Sequence, residues 1–292
     1  KGKLVSQRTK SFKLWSQLVK RDPDQTFFTG GTDAAALLSR LRREHAPLAS
    51  IIRGSIQRGV SPDVVGAHVV SPAEARAEKL ERELLRPSVS GTQIKRYHPW
   101  SPDQLIVYTG RTAEIEEFPN VLKHLKKYKN ENTCKEVTAG KHPWWALHRP
   151  RDPSIFESPK FVGLTTAKTI ELIYDADKSV FVTDAMYVFS LLHGIDPYAA
   201  MAILQSKLFL FLYRVANQGE ARVIPQVKAS KLETLPVPRR DRVQKSWIKV
   251  AQCAHDMMQL ERQLSSARTA HERTALERQI EATDRQLDRL VY

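Results

Sequence analysis

Apolar residues occur in short stretches along most of this chain and at helical spacing near its end. Between positions 47 and 190 these stretches alternate with turns that contain proline or glycine, a pattern typical of short strands. The pattern predicts strands at 50–52, 67–70, 104–108, 161–164, 172–174, 180–182 and 187–191.

Longer amphipathic or apolar segments between these stretches predict helices. One helix is expected to begin at Thr32 or Asp33 and to end near His45, because Asp33 is a suitable N-cap and Pro47 follows its end. Further helices are predicted at 73–85, 119–128 and 198–216.

Beyond the prolines at 236 and 238, apolar positions step by three and four. The first half of this seam includes Trp247, Val250 and Met257, and the second half includes Leu276 and Leu287. The spacing breaks near 265–270, so the pattern predicts either two antiparallel helices or one interrupted coiled coil.

Together these elements predict an α+β fold: a small mixed sheet with flanking helices, followed by a C-terminal helical hairpin or coiled coil. We expect residues 1–46 to be a basic linker and helix that follow a preceding domain. Residues 47–240 are expected to form the main domain, and residues 241–292 a helical spacer.

The net positive charge of the chain limits the classes of binding partner that are expected. The formal net charge is +14, and residues 1–60 carry twelve Lys or Arg against four acids. Such an excess favours a polyanionic partner, either nucleic acid or an acidic membrane surface. The basic helix near 33–45 is interpreted as a solvated amphipathic helix rather than as a DNA contact.

Several other features are not expected. No apolar run is long enough to span a bilayer, and the N-terminus lacks a signal-peptide core, so a cytoplasmic protein without membrane contact is predicted. The two cysteines, Cys134 and Cys253, are far apart and lack metal-type spacing, so neither a disulfide framework nor a zinc site is expected. Because the chain begins without methionine, we expect it to be a fragment.

A search for catalytic motifs finds none. The chain has no Pro-Pro pair of the kind an amino-methyltransferase uses, and no Glu-x-Lys or Asp-x-Lys triplet of the common metal-dependent nucleases. The only glycine pair, at 30–31, is not a donor-binding G-x-G turn. Catalytic and metal-binding residues are therefore not expected, and enzymatic activity is left uncertain.

Nucleic-acid contact has better support, because basic and aromatic residues cluster in a proline-broken loop at 141–151. Such residues neutralise phosphates, bind guanine, or wedge and stack against nucleotides. At least one of the adjacent tryptophans is expected to anchor the loop to the core instead. The candidates in this loop are Lys141, His142, Trp144, Trp145, Arg149 and Arg151.

A second basic cluster follows a turn in the stretch LLRPSVSGTQIKRY at 84–97. Proline and glycine exclude a helix there, so Lys95, Arg96 and Tyr97 are placed at the edge of a turn, where they could meet a phosphate. The alternative is an ordinary basic surface loop.

These blocks resemble, in order, those of the TaqI-like C-terminal specificity domain of adenine-specific DNA methyltransferases and fused type II restriction-modification enzymes. The resemblance extends over about 47–292, and its blocks are IQRGVSPDV at 56–64, LLRPSVSGTQIKRY at 84–97, WWALHRPRD with SPKFV, ILQSKLFLFLYR at 203–214, IPQVKASKLETLPVP at 224–238 and LERQIEATDRQLDRLVY at 276–292.

The resemblance implies a double-stranded DNA recognition module whose parent enzyme uses S-adenosylmethionine, with no cofactor in this fragment. Lys95, Arg96, Lys160 and Lys207 are expected to contact phosphates, and loops 56–64 and 141–151 to approach base edges. The remaining expected DNA contacts are Gln57, Arg58, Ser61 and Lys228.

The expected partners are double-stranded DNA, the parent's methyltransferase domain and another subunit docking on the helical tail. Two alternatives stay open: a nuclease with an unfamiliar site, and an assembly module that docks through its tail.

Overall fold

Short strands form three separate sheets in the computed structural model, which describes residues 32–217, 226–238 and 240–292. The sheets are β1–β9, β3–β5–β4 and β2–β8–β6–β7, and each pair within them is antiparallel. The strands are β1 (Ala46–Pro47), β2 (Gln57–Arg58), β3 (Val69–Val70), β4 (Leu85–Ser88), β5 (Gln104–Val107), β6 (Lys160–Leu164), β7 (Leu172–Asp175), β8 (Met186–Phe189) and β9 (Pro236–Val237).

Helices flank these sheets and form the end of the chain, which confirms the predicted α+β class. Parallel pairing within the described residues is limited to two isolated bridges, Val60 with Thr183 and Ser88 with Phe181. The helices are α1 (Thr32–Glu44), α2 (Val65–His68), α3 (Pro72–Ala77), α4 (Pro119–Lys126), α5 (Lys135–Thr138), α6 (Pro197–Leu204), α7 (Lys207–Ala216), α8 (Ala229–Leu232), α9 (Arg240–Ser266) and α10 (Ala270–Val291).

Three predicted strands have a different structure. Residues 50–52 overlap a 3₁₀ turn, Leu48–Ser50, and pair only through a bridge at Ile52. The strand predicted at 67–70 is a helix up to His68, and the segment 180–182 pairs only through single bridges, at Phe181 and at the adjacent Thr183. A short apolar stretch indicates burial, but it does not fix the backbone geometry.

Two predicted helices are shorter than expected. Helix α3 ends at Ala77, before Lys79 takes a left-handed φ of 54°, and the chain then enters β4. The segment at 198–216 is two helices, α6 and α7, bent by 56°. The hydroxyl of Ser206 accepts a hydrogen bond from the Phe209 amide at 3.1 Å, so Ser206 caps a new helix instead of continuing the old one.

The predicted helical hairpin is confirmed. Helices α9 and α10 are joined by three residues and pack against each other, and α9 also packs against α6. Trp247, Met257 and Leu287 are buried in the first hydrophobic core, together with Leu38 of α1 and Phe161 of β6. One core therefore draws on all three segments of the predicted domain division.

Two further hydrophobic cores are present among the described residues. The one called the third core surrounds the β3–β5–β4 sheet and α4. Buried residues there include Val70, Val107 and Leu125, and the rings of Trp144 and Trp145 pack against them. A second core lies between this one and the four-stranded sheet and includes Ile94, Leu147 and Val188. Loop 141–151 therefore lies where two cores meet.

No single helix in the described ranges is both long and apolar enough to cross a bilayer. The bent pair α6–α7 passes that test by length and composition only. Residues 1–31 of the basic linker and helix predicted at 1–46, and the first two residues of the block at 224–238, lie outside the described residues.

Candidate nucleic-acid interface

The two loops expected to approach DNA lie side by side. Ser61 donates its amide to the Arg149 carbonyl at 3.0 Å, and Arg149 donates its own amide to the Ser61 carbonyl at 3.2 Å. The Ser61 hydroxyl also donates to Oδ2 of Asp184 at 2.6 Å. Loops 56–64 and 141–151, far apart in sequence, thus form one surface.

Glycine makes this close packing possible. A Cβ atom at Gly59 would lie 2.2 Å from the Val182 carbonyl oxygen and 2.3 Å from that of Thr183. No side chain fits at such distances, because the obstructing atoms belong to backbone. Loop 56–64 can therefore lie against residues 182–183 only with glycine at position 59.

Both of the paired loops carry basic side chains that are exposed to solvent. The side chains of Arg58, Lys141 and Arg149 are all exposed. Arg58 also lines a shallow cleft together with Lys228, whose amide donates to the Tyr213 hydroxyl at 2.9 Å. The structure thus brings three expected contacts and Lys228 to the loop pair and the cleft beside it.

Other expected contacts hold the loops in place. Arg151 has a left-handed φ of 63° and donates from Nε to the Gly59 carbonyl at 3.2 Å, which links the two loops again. Gln57 donates from Nε2 to the Ser55 hydroxyl at 2.8 Å. His142 is buried, with Nε2 lying 3.1 Å from the Ala146 carbonyl oxygen.

Both tryptophans anchor the loop. Their rings meet edge to face at 5.9 Å and pack, partly buried, on the third core. The carbonyl of Trp145 accepts a hydrogen bond from the Thr109 hydroxyl at 2.7 Å, and the ammonium of Lys129 lies 5.2 Å from the ring centroid of Trp144. The expected anchoring role therefore extends to both rings.

The basic triplet at 95–97 divides between surface and core. Lys95 is exposed, whereas Tyr97 is buried with a left-handed φ of 58°. Nη2 of Arg96 lies 2.6 Å from Oδ1 of Asp284 on α10. Burial raises the pKa of the Tyr97 hydroxyl. Arg96 and Tyr97 thus join the turn to the hairpin, and their expected contact with a DNA phosphate stays a prediction.

Lys207 shares this arrangement. Its ammonium lies 2.6 Å from Asp288 and 3.2 Å from Asp284, both on α10, although it stays open to solvent. The Asp288 carboxylate raises the pKa of Lys207. This exposed lysine therefore pairs with two carboxylates of the hairpin, and its expected phosphate contact stays a prediction.

Lys160 departs furthest from expectation. Its side chain is fully buried, where the ammonium pairs with the Asp175 carboxylate and donates to the Phe156 carbonyl at 2.6 Å. Burial lowers the pKa of Lys160, and Asp175 offsets part of that effect. A buried and paired cation is not placed to contact a phosphate, so the expected phosphate contact is replaced by a role in the core.

Two residues at the loop pair were not predicted from the sequence. Arg111 lies 3.5 Å from the His148 carbonyl and 3.6 Å from Glu136, with half of its side chain exposed. The second residue, Asp63, lies 3.3 Å from Nδ1 of His148. Arg111 follows β5 closely, and this position could have indicated it as a loop residue near the site. No local pattern in the sequence indicates which residues surround Asp63.

One solved structure shares the fold of this chain. The type IIL restriction-modification enzyme MmeI, solved in complex with DNA, aligns with a TM-score of 0.58 at 13% identity over 84% of this chain. The type IIG restriction endonuclease BpuSI aligns with a TM-score of 0.45 at 12% identity over 90%. The chain spans about a third of either enzyme (33% and 34%).

Comparison with curated protein sequences found no match. The model of the TaqI-like C-terminal specificity domain matches residues 86–237, more than half of the chain. That range contains the basic triplet, loop 141–151, the four-stranded sheet apart from β2, and both α6 and α7. The chain belongs to the family of TaqI-like C-terminal specificity domains.

Proposed function

We propose that this chain is the sequence-specific double-stranded DNA recognition module of an adenine-specific DNA methyltransferase or a restriction-modification enzyme. The observation that carries the proposal is the pairing of loops 56–64 and 141–151 through Ser61 and Arg149, with exposed cations on both loops. The DNA complex of MmeI, whose fold this chain shares, supports the same partner.

The side chains of this surface fall into two roles under the proposal. Arg58, Lys141 and Arg149 contact DNA, because their charges are exposed and a guanidinium can bind either a phosphate or the O6 and N7 edge of guanine. Ser61 and Arg151 position the loops, because their polar groups are engaged with Asp184 and Gly59.

The parent's chemistry takes place elsewhere under this proposal. A target adenine would be flipped into the parent's methyltransferase domain, which binds S-adenosylmethionine and acts in the cytoplasm. The specificity domain would supply affinity and sequence choice, with phosphate contacts setting the salt dependence.

Docking through the hairpin is a second candidate, favoured by one observation. Ile248 on α9 is 67% exposed, an unusual degree of exposure for a large apolar side chain. Deleting the hairpin cannot test this role, because α9 and α10 complete the first core. Ile248→Glu, with intact folding, would weaken binding to the parent's methyltransferase domain or a second subunit if the hairpin docks.

Selection from a randomised duplex library tests the main proposal. Repeated selection at moderate salt is expected to enrich one short motif for the wild-type chain. Arg149→Ala is expected to relax the preference at one position, whereas Arg285→Ala, which removes an exposed arginine from α10, is expected to leave the motif unchanged. Equal recovery of all sequences by a folded sample would contradict the proposal.

Methylation tests the proposed parent. The longer protein, given the selected duplex and S-adenosylmethionine carrying a labelled methyl group, is expected to transfer label to an adenine within the motif. Label on cytosine, or no label on any duplex, would contradict the adenine-specific assignment while leaving the recognition role intact.

A further inference from the structure

Three side chains with metal-binding chemistry converge beside the paired loops. Asp63 lies in loop 56–64, His148 lies in loop 141–151, and Cys134 precedes α5. Nδ1 of His148 lies 3.6 Å from Sγ of Cys134 and 3.3 Å from Oδ1 of Asp63. All three side chains are partly buried, so the site is sheltered but open to an entering ion.

The geometry differs from that of a proton relay. In a Cys-His-Asp triad the thiol and the carboxylate contact opposite nitrogens of the imidazole. Here both approach the same nitrogen, Nδ1 of His148. A single nitrogen cannot relay a proton between two groups on its own side of the ring, whereas ligands around an ion converge in this way.

The separations also fit a metal ion. Zinc binds sulfur at about 2.3 Å and imidazole nitrogen or carboxylate oxygen at about 2.0 Å, so tetrahedral angles place sulfur and nitrogen about 3.6 Å apart and nitrogen and oxygen about 3.3 Å apart. The observed distances of 3.6 and 3.3 Å agree with both edges.

Neighbouring groups hold these ligands in place. Asn132 accepts a hydrogen bond from the Cys134 amide at 3.0 Å, and its Nδ2 lies 3.4 Å from Oδ2 of Asp63. Nε2 of buried His142 lies 3.8 Å from the same carboxylate oxygen. The second oxygen of Asp63 is thus oriented by other groups, as is usual for carboxylates that bind a metal through the first.

We propose that Asp63, Cys134 and His148 bind one zinc ion or a similar borderline-soft divalent ion, with water at the fourth position. Binding converts the Cys134 thiol to a thiolate and releases its proton to solvent. The ion joins loop 56–64, loop 141–151 and the segment before α5. The proposal revises the expectation of no metal site, which rested on sequence spacing alone, and it does not depend on DNA binding.

Another cluster, Glu74, Glu78 and His124, has similar composition but different geometry. Both nitrogens of His124 are occupied, by Glu78 at 2.9 Å and by the Ala67 carbonyl at 3.1 Å. Glu78 also pairs with Lys127 at 2.6 Å. This cluster is satisfied by the protein itself and needs no ion.

Zinc content and cobalt spectra of the intact chain test the proposal. After equilibration with zinc and removal of the free ion, we expect about one zinc per chain in wild type and in Cys253→Ala, with most of it lost in Cys134→Ser. Asn132→Ala is expected to weaken zinc affinity about tenfold while the ligands remain.

Cobalt binding provides a test that does not require any proposed ligand to be removed. Because Cys253→Ala leaves Cys134 as the sole thiol, a thiolate-to-cobalt charge-transfer band in that variant must come from Cys134. Its presence supports the site. Absence of this band from folded wild-type and Cys253→Ala protein, or full zinc retention by Cys134→Ser, would overturn the assignment.

Discussion

Arg96 and Asp284 form an ion pair across 2.6 Å that links the turn after β4 to the last helix. The guanidinium also lies 5.1 Å from the ring centroid of Tyr97, which is buried in the first core. Lys207 approaches the same carboxylate from the start of α7. The basic block in the turn therefore fixes the helical hairpin to the rest of the domain.

Removing this pair should destabilise the fold. Arg96→Ala leaves a carboxylate whose side chain is only 17% exposed without its main partner, so we expect the free energy of unfolding to fall by about 1–3 kcal/mol. Urea denaturation measures the change. Arg285→Ala, from an exposed pair on the same helix, should cost under about 0.5 kcal/mol; equal effects would contradict the anchoring role.

The Asp284 carboxylate should also make the free energy of unfolding depend on pH in the acidic range. Burial raises the pKa of Asp284, but Arg96 and Lys207 more than offset that effect, so its pKa lies below the ordinary value. The resulting stabilisation is present above the unfolded-state pKa, about 3.9, and is lost as pH falls through the lower folded-state pKa. Urea titrations across this range should show a shallower acid loss in Asp284→Asn than in wild type.

The buried pair of Lys160 and Asp175 predicts a larger effect. Lys160→Met removes the ammonium and leaves a carboxylate in the core, although Ser179 and Val180 still donate hydrogen bonds to it. We expect a loss of about 3–5 kcal/mol, measured by thermal or urea unfolding. A change under about 1 kcal/mol, or a defect confined to DNA affinity at unchanged stability, would restore the phosphate-contact role.

Gly59 should tolerate no side chain. Gly59→Ala forces loop 56–64 away from residues 182–183, so we expect a loss of about 1–3 kcal/mol and weaker DNA binding. Gly110→Ala is the matched control, because a Cβ there meets nothing within 4 Å. Similar stability for the two variants would show that the loop pairing is not as close as described.

Local patterns were enough to predict much of the fold. The pattern of apolar residues predicted α1 and the hairpin from helical spacing, and it predicted β5, β7 and β8 from short apolar stretches between turns. It failed at 198–216, where continuous apolar composition hid the new helix that Ser206 begins. It failed at 180–182, where a buried segment meets its neighbours only at single bridges.

The candidate interface was predictable in its loops but not in its individual contacts. Glycine, proline and basic residues marked loops 56–64 and 141–151. Nothing local showed that Arg96 meets a helix far along the chain, or that Lys160 is buried beside Asp175. Long-range pairs of this kind decide which basic residues remain on the surface, and they exist only in the folded chain.

The salt dependence of affinity for the selected duplex shows whether the paired loops recognise DNA. We expect Arg58→Ala with Arg149→Ala to weaken binding and to lower the slope of log affinity against log salt by about 1, because Arg58 would neutralise one phosphate while Arg149 would contact a base edge. Lys207→Ala with Arg285→Ala should leave that slope almost unchanged, because both cations pair on α10. Equal slopes for wild type and Arg58→Ala with Arg149→Ala, both well folded, would contradict DNA recognition by the paired loops.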